Sequence, residues 1–249
     1  MFEIYLREIY GALGYMATWL PSEQLDAGDV GRFERNGRFR RETTLAALGV
    51  VATVAPGTAT AVVKHHSAGG VSVNFKAAGD SPLANSLLSK AEAGFLVELG
   101  REHAIFFEAV GCTHERVVDV EDVGIEILAR VGASLWKRDY FVITEVIRAA
   151  SATILVSQGA NARFEASVSA PAGPGLLSVG DAKLGLLVKH SSSLGVELAA
   201  QTALTPLFTA YHIHKTLLGG TTFIPTEGAY EGPFHPATVD EVVEASARA

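Results

Sequence analysis

The spacing of apolar residues along the chain predicts four helices. From Phe2 to Trp19 apolar side chains recur every three or four residues, as in an amphipathic helix, and Pro21 ends the pattern. The same spacing predicts a helix from Asp119 to Val131 and another from Val239 to Ala247. A short helix is also expected between Gly79 and Ala91.

Most of the remaining chain has the pattern of β-strands. Two segments, Val71–Ala77 and Ala162–Ala170, alternate strictly between apolar and other residues, as strands with one buried face do. Asn36-Gly37 lies at the centre of Val30–Thr43, and this dipeptide is typical of a tight hairpin. Further strand-like segments are Thr58–His66, Ala93–Leu99, Ala104–Gly111, Tyr140–Ile147, Ala152–Val156, Ala182–His190, Val196–Gln201 and Pro206–Lys215. The pattern predicts an α+β fold with a twisted, mainly antiparallel sheet and flanking helices.

One apolar stretch is long enough to raise the question of a membrane span. Ala46 to Val63 contains eighteen residues without a charge, in a chain of mean hydropathy +0.25. Pro56-Gly57 interrupts it, and this dipeptide marks a turn between short strands far more often than it lies in a spanning helix. We therefore expect the apolar residues to be buried, or to be released under some condition.

Charge and cysteine content narrow the class of protein. The 249 residues include 20 Lys+Arg and 27 Asp+Glu, a net charge of −7, which argues against a nucleic-acid binder with a basic surface. The single cysteine, Cys112, excludes an intrachain disulfide and fits a reducing cytoplasm. Cys112 ends an apolar strand and is expected in the core. The start of the chain lacks the basic-then-apolar pattern of a signal peptide.

Common catalytic motifs do not occur in the sequence. There is no phosphate-binding G-x-x-x-x-G-K-[ST], no G-x-G-x-x-G and no G-x-S-x-G. His212 and His214 are two apart on a predicted strand, so their side chains share a face and could bind a metal together with His190 or Glu197. The alternative is a strand with two imidazoles on its polar face.

Arginines crowd the predicted hairpin around Asn36-Gly37. Four of them are candidates for binding lipid head groups: Arg35, Arg38, Arg40 and Arg41. Guanidinium groups on a protruding hairpin can bind phosphates with two hydrogen bonds each and are attracted to an anionic membrane. The alternative is a solvated edge hairpin that its charges protect from aggregation.

The segment Asp139-Tyr-Phe-Val-Ile-Thr-Glu-Val146, followed by the strand at Ile154-Leu-Val156, resembles the "YVVTEVL" region of gasdermins. The order of elements is similar to that of the bacterial members, which carry a short tail in place of a large inhibitory domain. The resemblance implies that Thr58–Gly111 and Asp139–Gln201 refold into amphipathic β-hairpins of an oligomeric membrane pore. It implies no catalytic residue, cofactor or metal.

The expected organisation is a pore-forming-type domain over residues 1–225 and an acidic tail over 226–249, of charge −4, that keeps the protein latent. Lipid-facing candidates are Val71, Val73, Phe75, Phe164, Ala166 and Val168, and candidates for the cleavage region are Glu227, Gly228, Tyr230 and Glu231. Proteolysis would release a cytoplasmic protein to insert into membranes, as a cell-death or antiviral defence effector. The expected partners are an activating protease, anionic lipid and further copies of the chain, and no nucleic acid.

A second hypothesis remains open at this stage. The same alternation is typical of any half-buried antiparallel sheet. The chain would then be a soluble α+β ligand-binding or scaffold protein, or a metal-dependent enzyme at His212 and His214.

Overall fold

A computed structural model of the chain describes residues 1–19, 24–35, 37–75, 95–133, 135–137, 139–168, 186–200, 204–213 and 234–248. The helices are α1 (Phe2–Leu13), α2 (Val120–Gly132) and α3 (Val239–Arg248). The strands are β1 (Met16–Ala17), β2 (Asp29–Phe33), β3 (Phe39–Thr44), β4 (Val54–Pro56), β5 (Thr60–His66), β6 (Val71–Phe75), β7 (Phe95–Leu99), β8 (Ile105–Val117), β9 (Phe141–Ala149), β10 (Ser151–Ser157), β11 (Ala162–Val168), β12 (Leu186–Ser192), β13 (Leu194–Ala200), β14 (Leu204–Ile213) and β15 (Phe234–Pro236).

Eleven of these strands form one sheet, called here the large sheet. Its main path runs β1-β14-β9-β8-β10-β13, and β2, β3, β4, β5 and β15 join it at the sides. Every pairing between described strands is antiparallel, which confirms the predicted α+β class with a mainly antiparallel sheet. The strand that carries the Asp139–Val146 pattern, β9, lies inside this sheet between β8 and β14.

The other four strands form a second sheet, called here the small sheet, in the order β12-β11-β7-β6. Its apolar face packs against the large sheet. Phe95, Val97 and Phe164 of the small sheet share one buried cluster with Phe106 of β8 and Leu155 of β10. The small sheet is therefore folded back on the large one, and the apolar residues between them are removed from water.

The first helix ends earlier than its apolar pattern predicts. Gly14 adopts a left-handed conformation (φ 75°), and its N–H donates to the carbonyl of Tyr10, which ends α1 at Leu13. Met16 and Ala17 then pair with β14, so the prediction of helix as far as Trp19 is wrong. Tyr5 and Ile9 of α1 are buried against the face of the large sheet that lies opposite the small sheet.

The other predictions of elements are largely confirmed. The helices at Asp119–Val131 and Val239–Ala247 are present within a residue or so, and the strand predicted at Ala104–Gly111 continues to Val117. Cys112 is buried, as expected. The helix expected at Gly79–Ala91 lies outside the described residues. In the described part of the chain, no helix is long and apolar enough to cross a membrane.

Candidate functional site

The small sheet has apolar residues in rows that cross three strands. Each row takes one residue from β6, one from β7 and one from β11, because paired residues of neighbouring strands occupy the same face of a sheet. The rows are Val71–Leu99–Ala162, Val73–Val97–Phe164 and Phe75–Phe95–Ala166. This face lies against the large sheet.

The structure brings together most of the predicted lipid-facing candidates. Val71 and Val73 are half-buried against the cluster between the sheets, and Phe164 is only 1% exposed within it. The side chains of Phe75, Ala166 and Val168 lie outside the described part of the structure; the register places Val168 opposite Leu186. All the candidates whose side chains are described therefore face a protein core in this conformation.

Sequence reasoning predicted the strand at Ala93–Leu99, which lies between the two groups of candidates, but did not include its residues among them. Phe95, Val97 and Leu99 of β7 are fully buried and form the middle of every row. They occupy every second position of the predicted strand, but Leu96 interrupts the apolar–polar alternation that is present in β6 and β11.

The opposite face of the small sheet is polar. Glu98 of β7 lies at its centre: Arg163 Nη2 of β11 is 2.8 Å from its Oε1, and the Ser72 hydroxyl of β6 is 3.4 Å from its Oε2. In the neighbouring row, Asn74 and Glu165 flank Leu96, the one apolar residue of these two rows. The small sheet is thus amphipathic, with one apolar face and one polar face.

The C-terminal helix covers apolar residues at another place on the body. Val239 and Val242 of α3 are buried in a cluster with Leu6 of α1, Phe33 of β2 and Phe141 of β9. The short strand β15, which precedes α3, pairs with the end of β14. The end of the described chain is therefore packed on the same body as α1.

Two charged contacts accompany this apolar packing. Arg7 Nη2 of α1 lies 2.6 Å from Asp240 Oδ1, and His212 Nε2 of β14 lies 3.0 Å from Glu241 Oε1. The other oxygen of Glu241 accepts a hydrogen bond of 2.8 Å from the N–H of Thr238, which caps the helix. Burial alone would raise the pKa of Glu241, but the bonds from Thr238 and the charge of His212 outweigh it and lower the pKa.

The histidine pair proposed as a metal site is only partly described. The ring of His212 stacks on Phe141 with centroids 4.8 Å apart, and its Nε2 faces Glu241. His214 lies outside the described residues. Among the residues that the structure describes, no group of three His, Cys, Asp or Glu side chains could hold a metal ion.

The arginines of the hairpin are exposed, and two of them contact carboxylates of the chain. Arg40 contacts Glu42 at 2.8 Å, and Arg41 contacts Asp29 at 3.4 Å. Arg35 and Arg38 are exposed on either side of the turn. Positive charge on this hairpin is therefore balanced in part by carboxylates of the chain itself.

Glu42 takes part in several of these contacts. The Tyr140 hydroxyl donates to it at 2.8 Å, and Arg40, Arg32 and Lys137 surround it. The hydrogen bond from Tyr140, followed by the surrounding cations, lowers the pKa of Glu42 to about 2.

A third polar contact connects α1 to the strand that leads into the small sheet. Glu8 accepts hydrogen bonds from the Ser67 hydroxyl and from His65 Nε2, the latter at 3.0 Å, and Arg101 lies 3.7 Å away. Burial alone would raise the pKa of Glu8, but these partners outweigh it and lower the pKa. The predicted cleavage candidates Glu227, Gly228, Tyr230 and Glu231 lie outside the described residues.

The arrangement defines the protein as an α+β molecule in which an amphipathic sheet is folded back on a large antiparallel sheet. No protein-family model matches the chain, and no curated protein matches it. The structure is similar to that of a bacterial gasdermin from Bradyrhizobium tropiciagri, at 15% sequence identity and a TM-score of 0.37, with 86% of this chain and 88% of that chain covered.

Proposed function

We propose that the chain is a latent, gasdermin-like pore-forming effector. In this proposal the cytoplasmic protein is activated when a protease removes the tail, and it then inserts into an anionic membrane as an oligomeric β-barrel. The outcome would be cell death in defence. The proposal involves no catalytic residue and no cofactor.

The amphipathic small sheet is the observation that carries this proposal. A strand that crosses a membrane as part of a barrel must turn one apolar face to lipid and leave no backbone group unpaired. The small sheet already pairs β6, β7, β11 and β12 in one antiparallel array, and its apolar rows are buried only because the large sheet covers them. Exposing those rows requires separating the two sheets, and no strand of the small sheet has to find a new neighbour within the chain.

The order of the strands also suits assembly from several copies. Neighbours in the small sheet are antiparallel, so its two outer strands, β6 and β12, run in opposite directions. When β6 of one copy is placed beside β12 of the next, the antiparallel alternation continues without interruption. Closing such a ring removes every open sheet edge.

The packing of α3 supports the proposed latency. Val239 and Val242 cover apolar residues of α1, β2 and β9, and Arg7 and His212 contact the two carboxylates beside them. A segment that binds only the latent state lowers the free energy of that state. A cut in residues 226–236 would unlink α3 from the body and remove that bias. We propose the four exposed arginines of the hairpin, Arg35, Arg38, Arg40 and Arg41, as the first contacts with lipid head groups.

The test is release of a dye from liposomes. Full-length protein and protein cut between Gly228 and Pro233 are added to liposomes with and without anionic lipid, and protease alone serves as the blank. We expect release only from cut protein, and more from anionic liposomes. Val242→Asp in the uncut chain should give partial release, because it places a charge in the apolar contact of α3.

Two results would contradict the proposal. Equal release from cut and uncut protein would show that the tail does not maintain latency. Absence of release from cut protein, with the tail fragment shown to have dissociated, would exclude pore formation in the lipids tested and turn attention to ligand binding.

A further inference from the structure

The pairing of β14 with β15 brings a second histidine beside His212. The two strands are antiparallel, and their register places His235 directly opposite His212. Residues that are directly opposite in an antiparallel pair share one face of the sheet, with Cβ atoms about 4.5–5.5 Å apart. The side chain of His235 lies outside the described part of the structure, so its place rests on the register alone. The two histidines are far apart in the sequence, and no local spacing predicts that they meet.

The ring of His212 is held in a fixed orientation. It stacks on the ring of Phe141, its partner in β9, with 18° between the planes and 4.8 Å between the centroids. The His212 side chain is 12% exposed. An imidazole that is packed in this way loses little further freedom when one of its nitrogens binds a ligand.

Glu241 of α3 supplies a carboxylate at the same place. Its Oε1 lies 3.0 Å from His212 Nε2. Its Oε2 accepts hydrogen bonds from the N–H and the hydroxyl of Thr238, at 2.8 and 2.9 Å. One oxygen is thus held by the helix cap while the other is directed to the imidazole. Carboxylates that bind metals are commonly held by such a hydrogen bond from a neighbouring group.

The distance between His212 Nε2 and Glu241 Oε1 suits two ligands of one zinc ion. Zn²⁺ binds imidazole nitrogen and carboxylate oxygen at about 2.0–2.2 Å, so two such atoms of a tetrahedral site are about 3.3–3.5 Å apart. The observed 3.0 Å has to widen by only a few tenths of an ångström to admit the ion. Nitrogen ligands favour Zn²⁺ over Mg²⁺ and Ca²⁺, which prefer oxygen.

We propose that His212, His235 and Glu241 form a zinc site, called here the tail site. Two imidazole nitrogens and one carboxylate oxygen bind Zn²⁺ well, and a water molecule can take the fourth position. The imidazoles bind the ion in their neutral form, so any proton that they carry passes to the solvent. The tail site is separate from the apolar rows of the small sheet, and pore formation does not require the ion.

The three ligands lie on two parts of the chain that the proposed cut separates. His212 is on β14, whereas His235 and Glu241 follow the cleavage region between Gly228 and Pro233. A bound ion would therefore still connect the tail fragment to the body after cleavage. At free Zn²⁺ one hundred times its dissociation constant, an ion that binds only the joined form strengthens retention of the fragment about a hundredfold. This effect on latency rests on the proposed function, whereas zinc binding itself does not.

Titration calorimetry on the uncut, metal-free chain tests the binding. We expect one Zn²⁺ per chain, and no binding of Mg²⁺ or Ca²⁺ at the same concentration. Glu241→Gln and His235→Ala should each weaken zinc binding at least about tenfold. Glutamine can keep the helix cap, so Glu241→Gln changes the ligand and preserves the helix. Glu244→Gln is the matched control, because Glu244 lies on the same helix and contacts Arg248, and it should bind zinc as the wild type does.

Size-exclusion chromatography of cut protein tests the effect on the tail without a membrane. The fraction of tail fragment that stays with the body is measured in Zn²⁺ and in the chelator EDTA. We expect the wild type and Glu244→Gln to keep more fragment in Zn²⁺, and Glu241→Gln and His235→Ala to keep the same amount in both. Each variant is compared with itself, so a loss of packing alone does not change this ratio.

The outcomes separate the tail site from the pore. Zinc binding that is absent, that Mg²⁺ matches, or that persists undiminished in either ligand variant overturns the tail site, and a pore that releases dye remains. Equal retention of the fragment in Zn²⁺ and EDTA overturns the connection of tail to body by the ion. If Zn²⁺ holds the fragment but protein freed of its tail releases no dye, the pore fails and the tail site stands. Glu241→Gln decides alone if His235→Ala does not fold.

Discussion

Phe164 should be a large determinant of the stability of the folded protein, although it is also a candidate to face lipid. Its side chain is 1% exposed, and its ring lies 5.9 Å from that of Phe95 in the cluster between the sheets. Phe164→Ala removes this ring and leaves a cavity that the rigid sheets cannot close. Phe-to-Ala changes in cores cost about 3–5 kcal/mol, and we expect about 4 kcal/mol here. That is a large fraction of the free energy of unfolding of a typical domain, which is roughly 5–15 kcal/mol.

Urea unfolding of the uncut chain, followed by circular dichroism, measures this loss. Ser72→Ala on the exposed face of β6, in the same sheet, is the matched control and should change the free energy of unfolding by less than about 0.5 kcal/mol. Val73→Ala, in the same row as Phe164 but only half-buried, should fall between them at about 1 kcal/mol. A loss below about 1 kcal/mol for Phe164→Ala would refute the packing of the small sheet on the large one.

Three further changes test individual side chains. Tyr5→Phe should stabilise the protein by about 1 kcal/mol, because the Tyr5 hydroxyl is buried without a hydrogen-bond partner among the described residues. Thermal unfolding measures this change, and Tyr10→Phe, at an exposed position, is the control. Burial, together with neighbouring positive charge, lowers the pKa of His66, so the folded state resists protonation of its ring. The free energy of unfolding should therefore fall as the pH drops below about 6.5. His66→Leu should flatten that part of the pH profile. The pKa of Glu42 is lowered to about 2, so its contribution is present above about pH 4.5 and is lost between there and pH 2. Glu42→Gln should therefore remove about 1 kcal/mol at pH 6 but little at pH 2, and equal losses at both would show that the carboxylate bond from Tyr140 contributes nothing.

Much of the order of helices and strands was predictable, because the spacing of apolar residues and the residues that form turns are local features of the sequence. The alternation of Val71–Ala77 and the Asn36-Gly37 turn both predict strands that the structure contains, as β6 and as the pair β2 and β3. The end of α1 was not predictable from its apolar spacing. Tyr15 and Met16 continue that spacing, but the left-handed Gly14 and the available edge of β14 draw the chain into β1.

The candidate site depended on contacts that no local pattern encodes. An apolar strand face can meet lipid, a helix or another sheet, and only the fold shows that Phe164 meets Phe106 and Leu155. The left-handed backbone of Ser193 was likewise not predictable, because serine, unlike glycine or asparagine, does not indicate that conformation. The fold-back of one sheet on the other occurs at turns that are distant in the sequence, at residues 67–70, 100–104 and 158–161 and at Ser193, and each of them has the sequence of an ordinary loop.

The shortness of α3 has a consequence for how it leaves the body. Ten residues are too few for a helix to be stable by itself in water, so α3 needs its contacts with the body to remain helical. In turn, α3 keeps apolar residues of the body out of water. Once displaced, it is expected to unravel, and its return then requires forming the helix and docking it in a single step. Release of α3 from the body and loss of its helical structure should therefore occur together, as one cooperative step.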